Sequence, residues 1–416
     1  MKCKFLLSIF IFLFSIFSFA QDADKTFAIT GNGNGDFLWM NIRQIDLSTG
    51  SLTKNVFEKD ATKFKMLNAA TKNEVILTGS QNGREFSSPQ YPTATMVAAA
   101  AYDNKSKKLF FTPMSIAELR WIDLSSNSDV PEFYTLQSPL LAKINPQADA
   151  TRFTRMTIGA DGNGYALTND ANHLIKFNTD KNITITDMGV IVDATKNNVL
   201  SVHDVCGSWG GDLVADALGN LYLFTGSKNV FKINLRTRVA THLGSISGLS
   251  GAYTLNGAAV YNDDNVIISS ANSFEGFFKV NMKDLAATKL NTSGQIFNAS
   301  DLANGKLLFA NDAKNKTGVA ALVNRNIIGG QLISVFPNPV IGSQFNITFN
   351  NKLTGEYQIV LTDIHGKSIM SKKVFIKSAD QVETIQLKTK PSNGIYLIKV
   401  VNANKKSVFS DKIVIE

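Results

Sequence analysis

Short runs in which apolar and polar residues alternate, each closed by Asn, Asp, Gly or Lys, recur along most of the chain. One copy reads Gly164-Tyr165-Ala166-Leu167-Thr168, a polar turn, Leu174-Ile175-Lys176-Phe177-Asn178, a second turn, and then residues 183–189. Another reads Leu221-Tyr222-Leu223-Phe224-Thr225, a turn, Val230-Phe231-Lys232-Ile233-Asn234, and residues 239–244. A period of two turns one side of each strand toward an apolar layer, so these stretches predict meanders of short antiparallel strands. The unit recurs at 27–30, 42–47 and 51–57, at 109–112, 119–124 and 132–136, and at 266–270, 277–282 and 287–290. A weaker sixth copy covers 306–310 and 318–323.

In the third and fourth copies a further strand comes first, at 156–159 and 213–215, and ends in an Asp/Gly/Asn turn. Each unit is therefore four strands long. The last polar residue of the third strand falls at Asp46, Asp123, Asn178, Asn234 and Asn281, intervals of 77, 55, 56 and 47 residues. Such spacing suits propeller blades with loop insertions and is unlike helical repeats. No segment of the body keeps a 3.6-residue apolar period with caps at both ends, so the expectation is all-β, a β-propeller of about six blades spanning residues 21–326. The first unit lacks an inner strand, which a strand near residues 295–299 supplies in this reading. The long first interval holds an extra strand-like run at 75–78 and a polar loop through 87–92.

The net charge of +8 would suit an anionic partner if it were spread over the molecule. Instead residues 1–20 hold +2 and residues 331–416 hold 11 lysines against 6 acids, which leaves the 310 residues between them at +1. A nucleic-acid partner is not expected for so neutral a body. Lys2 and Lys4 precede an apolar run at 5–19, and Ser18 and Ala20 stand before Gln21, the pattern of an export signal over 1–20 cut after Ala20. The run is short for a membrane span, and no integral membrane segment is expected once it is removed. Cys206 is then the last cysteine, so an intramolecular disulfide is excluded.

After a linker at 327–333 the composition shifts, with strands alternating through 334–416 and no arginine. The segment opens Phe336-Pro337-Asn338-Pro339, continues to the turn Asp363-Ile364-His365-Gly366-Lys367, and ends with Gly394-Ile395-Tyr396 and a last strand carrying Lys412. Seven or so strands in that length fit a small β-sandwich. In order, these landmarks resemble the type A C-terminal sorting domain of the type IX secretion system of Bacteroidetes. That resemblance implies passage through the inner membrane, recognition of the tail by the type IX machinery, and release or surface attachment of the body. The body is similar to secreted six-bladed propellers at the level of fold, which does not fix function.

Candidate chemistry is sparse. His203, Asp204, Cys206 and Asp212 cluster before the fourth inner strand, but no Cys-x-x-Cys or His-Glu-x-x-His pattern completes a metal site, and neither metal nor cofactor is expected. Gly31-Asn32-Gly33-Asn34-Gly35 sits between strands, so it reads as a hairpin loop. Gly244-Ser245-Ile246-Ser247-Gly248 puts isoleucine where a serine nucleophile would stand. Arg152, Arg155, His203, Asp204 and Asp212 precede inner strands of adjacent units and are the candidates to line one mouth of the channel. The expectation is a non-catalytic module that binds an extracellular glycan or protein. The alternative is an extracellular propeller enzyme, a polysaccharide lyase or hydrolase.

Overall fold

The computed structural model describes residues 25–75, 91–313 and 333–415, apart from 34, 127, 129, 145–146, 196, 198–199, 293, 337–339, 341–342, 350–353, 377–380 and 388–390. The chain divides into two compact units, Met1–Lys314 and Asn315–Glu416.

In the first unit the strands run β1 (Thr26–Thr30), β2 (Asn41–Asp46), β3 (Ser51–Phe57), β4 (Lys65–Asn68), β5 (Val97–Asp103), β6 (Lys108–Pro113), β7 (Glu118–Asp123) and β8 (Glu132–Gln137). They continue as β9 (Phe153–Ile158), β10 (Gly164–Thr168), β11 (Leu174–Phe177), β12 (Ile185–Asp187), β13 (Val192–Asp193), β14 (Asp212–Ala215), β15 (Asn220–Phe224), β16 (Asn229–Asn234) and β17 (Val239–Ser245). The last are β18 (Gly257–Asn262), β19 (Asn265–Ser269), β20 (Phe278–Asn281), β21 (Ala287–Lys289) and β22 (Ala299–Asn304).

These strands form five sheets, with orders β22-β1-β2-β3, β4-β8-β7-β6-β5, β12-β11-β10-β9, β13-β17-β16-β15-β14 and β18-β19-β20-β21. Apolar clusters lie between consecutive sheets. Ile29, Phe57 and Phe111 fill the first gap, Phe110, Met156 and Phe177 the second, Leu167, Leu223 and Phe231 the third, and Phe224, Tyr253 and Ile268 the fourth. The fifth, around Ala28, Ile267, Phe277 and Leu302, joins the last sheet to the first and closes a propeller.

Two expectations are thereby corrected. Where about six blades were expected, five close the ring. The weak sixth copy makes only a bridge from Leu308 to Asp216, followed by a helical turn at 310–313, and 318–323 lies outside the described residues. The first blade does take its inner strand from the end of the array, but as β22, a few residues beyond 295–299. The long first interval also holds β4, parallel to β8; of the run expected at 75–78, residues 76–78 lie outside the described residues, as do 87–90 of the polar loop.

The repeat in the sequence has a physical cause. Each residue that ends the third strand of a blade accepts a backbone N–H from the turn after it. Asp46 accepts from Ser48 at 2.8 Å, Asp123 from Ser125 at 2.9 Å, Asn178 from Thr184 at 2.6 Å, Asn234 from Arg236 at 3.1 Å and Asn281 from Lys283 at 2.8 Å. The turn before the second strand is fixed differently. Asp161 accepts from Asn163 Nδ2 at 2.8 Å and the Tyr165 hydroxyl at 2.8 Å, and Lys176 Nζ sits 5.7 Å from the Tyr165 ring. Asp216, Asn220, Tyr222 and Lys232 repeat the arrangement in the next blade.

The second unit holds β23 (Ile333–Phe336), β24 (Gln344–Phe349), β25 (Gly355–Asp363), β26 (Ser368–Ile376), β27 (Gln381–Gln386), β28 (Gly394–Asn402) and β29 (Ser407–Ile415). Sheets β23-β24-β27 and β26-β25-β28-β29 enclose Phe345, Ile347, Ile359, Leu361, Ile398 and Val400 as a sandwich. Asp363 accepts from the N–H groups of His365 and Lys367, both at 2.9 Å, and Gly366 takes φ +84°, which glycine adopts without strain. Gly394 opens β28, Tyr396 lies in the core with its hydroxyl donating to Ser392 O at 2.7 Å, and Lys412 is exposed on β29. Pro337, Asn338 and Pro339, and the Ala20–Gln21 junction, lie outside the described residues.

Gly164 opens β10 because the ring of Phe177 lies across it; a Cβ there would meet that ring at 2.0 Å. Gly164→Ala is expected to push Phe177 out of its cluster and cost on the order of 1–3 kcal/mol in chemical denaturation. Stability equal to wild type would remove this packing constraint.

Candidate functional site

The inner strands β22, β5, β9, β14 and β18 surround the axis, and five backbone N–H groups there are taken up by two aspartates. Asp212 accepts from its neighbour Leu213 at 2.7 Å and from Ala258 of the next blade at 2.8 Å. Its carboxylate also accepts from Met156 and Leu302, in β9 and β22. Asp301, on the closing strand, accepts from Ala100 of β5 at 3.0 Å. Two carboxylates thus bind N–H groups from all five inner strands.

Both are fully buried, and burial pushes both above the usual carboxylate range; the charge of Asp212 raises Asp301 further. The four N–H bonds favour charge on Asp212, whereas Asp301 has one such bond and an Oδ1 with no hydrogen-bond partner. Burial thus favours the protonated form at both carboxyls, and the N–H bonds oppose it more strongly at Asp212 than at Asp301. Further along the same strands, a cavity of about 10 Å³ lined by residues such as Ala101, Val214, Ala259 and Ala303 has room for roughly one water molecule.

The structure gives the five sequence candidates separate tasks. Arg155 is buried and donates to the carbonyls of Gly210 and Thr168, both at 3.0 Å, and of Ser208. Burial lowers it to about 9, opposed by Asp170 and Asp212, so it stays charged at neutral pH. Arg155 ties the third blade to the loop leading into the fourth. His203 packs between the carbonyls of Asp170, 2.7 Å from Nδ1, and Ile191, 2.9 Å from Nε2. Asp204 caps the short helix Val205–Ser208 by accepting from Gly207 N at 2.6 Å. Arg152 pairs with Asp149. Of the five, Arg155 and Asp212 are brought near each other, on inner strands of adjacent blades.

Other residues shape the mouth. Arg43 donates to Gly31 O at 2.8 Å, pairs with Glu58 at 3.2 Å, and lies 4.1 Å from the centre of the Phe297 ring. Arg120 donates to Pro92 O at 2.6 Å and pairs with Glu118 at 2.7 Å. Each stands three residues before the Asp that ends its strand, an offset visible in the first two copies of the repeat. Beside Arg43, loops 31–40 and 270–277 meet at Asn298, whose Nδ2 donates to Asp36 O at 2.9 Å and Ala271 O at 2.8 Å. Trp39 Nε1 donates to Ala271 O at 3.3 Å, and Phe37, 46% exposed, faces Phe274 with ring centres 6.1 Å apart. Asn32 and Asn272, on these two loops, are exposed, as is Gln295, whose Nε2 donates to Asn32 O at 3.5 Å. Among the described residues no group of three or more His, Cys, Asp or Glu side chains could hold a metal ion.

Comparison with known proteins identifies the second unit. Residues 334–416 match the secretion system C-terminal sorting domain. The protein is thus an exported β-propeller that carries a type IX sorting tail, bound for the cell surface or the medium. No helix among the described residues is long and apolar enough to cross a membrane. No curated protein matches the chain. Among solved structures it is similar to PorZ, described as an essential surface component of the type IX secretion system of Porphyromonas gingivalis, at 12% identity and a TM-score of 0.32 over 94% of this chain and 51% of that one. It is also similar to the extracellular domain of a one-component system protein of B. thetaiotaomicron, at 10% identity and 0.32, over 91% and 48%. Virginiamycin B lyase of Staphylococcus aureus matches at 10% identity and 0.28, over 95% and 96%. The chain spans about half the length of the first two.

Asp212→Ala leaves four N–H groups without their acceptor and is expected to destabilise the ring by about 3–6 kcal/mol in urea unfolding. A loss under about 1 kcal/mol would contradict the stitching role. Because burial raises the folded-state values of both carboxyls, wild-type stability falls as pH climbs from the ordinary carboxylate range to the raised value of the pair. Asp301→Asn needs no proton, so its melting temperature should change less than that of wild type between about pH 5 and about pH 9.

Proposed function

We propose that the propeller is a non-catalytic binding module that holds an extracellular glycan at the mouth where the fifth and first blades meet. The supporting observation is the division of labour at that mouth. Asp212 and Asp301 are committed to backbone N–H groups inside the ring, and Arg155, His203 and Asp204 to the loops around it. The loops there expose Phe37, packed on the half-buried Phe274, and the amides of Asn32 and Asn272, with exposed Gln295 bonded to Asn32.

Aromatic faces match the C–H faces of sugar rings, and carboxamides supply both donors and acceptors for hydroxyls. A lyase or hydrolase would need charged groups that reach a substrate, and the paired carboxylates are shut away from solvent. The nearly neutral body favours an uncharged saccharide over a polyanion.

The mature full-length protein should retain one or a few neutral glycans on an array without releasing shortened products. Phe37→Ala combined with Phe274→Ala should weaken that binding about ten-fold or more while leaving the melting temperature within about 2 °C of wild type. Turnover of a polymer that disappears in Asp212→Asn would favour the enzymatic alternative.

A further inference from the structure

We propose that the sorting domain is recognised through the outer face of its four-stranded sheet, by a protein surface that is apolar at its centre and acidic around it. The inner face of that sheet is covered by the sheet β23-β24-β27. A sheet with one wet face alternates apolar and polar residues, whereas a strand covered on both faces reads as a continuous apolar run. Strand β28 reads Ile395-Tyr396-Leu397-Ile398-Lys399-Val400-Val401. Tyr396, Ile398 and Val400 point into the core, which leaves Ile395 and Leu397 outside, 51% and 38% exposed.

The register sets what flanks these two residues on the same face. Ile395 stands opposite Val414, Leu397 opposite Lys412, and Lys399 opposite both Ser410 and Val360. Directly opposed side chains on one face lie about 5 Å apart, so Ile395 and Val414 form an apolar pair that Leu397 continues along β28, with Leu397 itself flanked by Thr362 and Lys412, and Lys399 by Val360 and Ser410. On β26 the outward Lys373 stands opposite Gln358. The core accounts for the rest of β28 but not for these outward residues. Lysines around an apolar centre fit a partner with carboxylates at the same places.

The test uses the full-length chain in a host with an active type IX system, comparing exported with periplasmic protein. Ile395→Thr with Leu397→Thr, and separately Lys399→Glu with Lys412→Glu, should each lower export about ten-fold or more, with folded protein accumulating in the periplasm. Gln344→Thr with Gln386→Thr, on the other sheet, should export as wild type. Melting curves of the purified variants separate lost recognition from lost folding, and the lysine pair, confined to the surface, decides the matter if the apolar pair unfolds. Wild-type export by both face variants overturns the proposal; unchanged export by the lysine pair alone overturns its acidic rim. Binding of the wild-type chain to vesicles of anionic lipid, abolished by the lysine pair, would overturn a protein partner.

Discussion

Five strands that converge on one axis direct backbone N–H groups into the protein interior, and each such group must find an acceptor there. Here two aspartates meet that requirement for the whole ring, four N–H groups on Asp212 and one on Asp301. Because Asp301 belongs to the strand that closes the first blade, the axis is complete only when the far end of the array has docked. Burying two carboxyls that sense each other's charge favours their protonated forms, which makes the ring sensitive to alkali at its centre.

The small inner-strand residues follow from the same crowding. Ala100, Ala101, Ala258 and Ala259 bring the backbones close enough for a single carboxylate to reach four strands. Outside the axis the blades rely on local devices: an Asp or Asn acceptor after each third strand, and Asp–Tyr–Lys groupings in the third and fourth blades. Those devices order each blade separately, while the five apolar clusters between blades order the ring.

Outside the closed, backbone-satisfied centre lie the loops at the mouth. Arg43 and Arg120 hold the bases of two such loops through buried ion pairs and carbonyl bonds, so the exposed rings are presented on supported loops. The sorting domain is built on another principle, a two-sheet sandwich whose apolar content exceeds what its own core covers. The sorting domain and the propeller thus belong to separate compact units of one chain.

The sequence by itself determined much of this. Local periodicity and turn chemistry were enough to place the strands of the blades, because Asx turns and alternating strands depend on neighbours in the chain. The landmarks from Asp363 to Lys412 likewise identified the sorting domain, since its turns and strand spacings are local. The count came out one blade high because the weak copy at 306–310 has the composition of a strand but makes only a single bridge, from Leu308 to Asp216, a long-range matter. Asp301 was overlooked, and Arg155 and Asp212 were read as lining an open mouth, because burial depends on which strands meet at the axis. Only the tertiary structure decided that, since the distance between residues 212 and 301 is set by ring closure and by nothing in the residues between them.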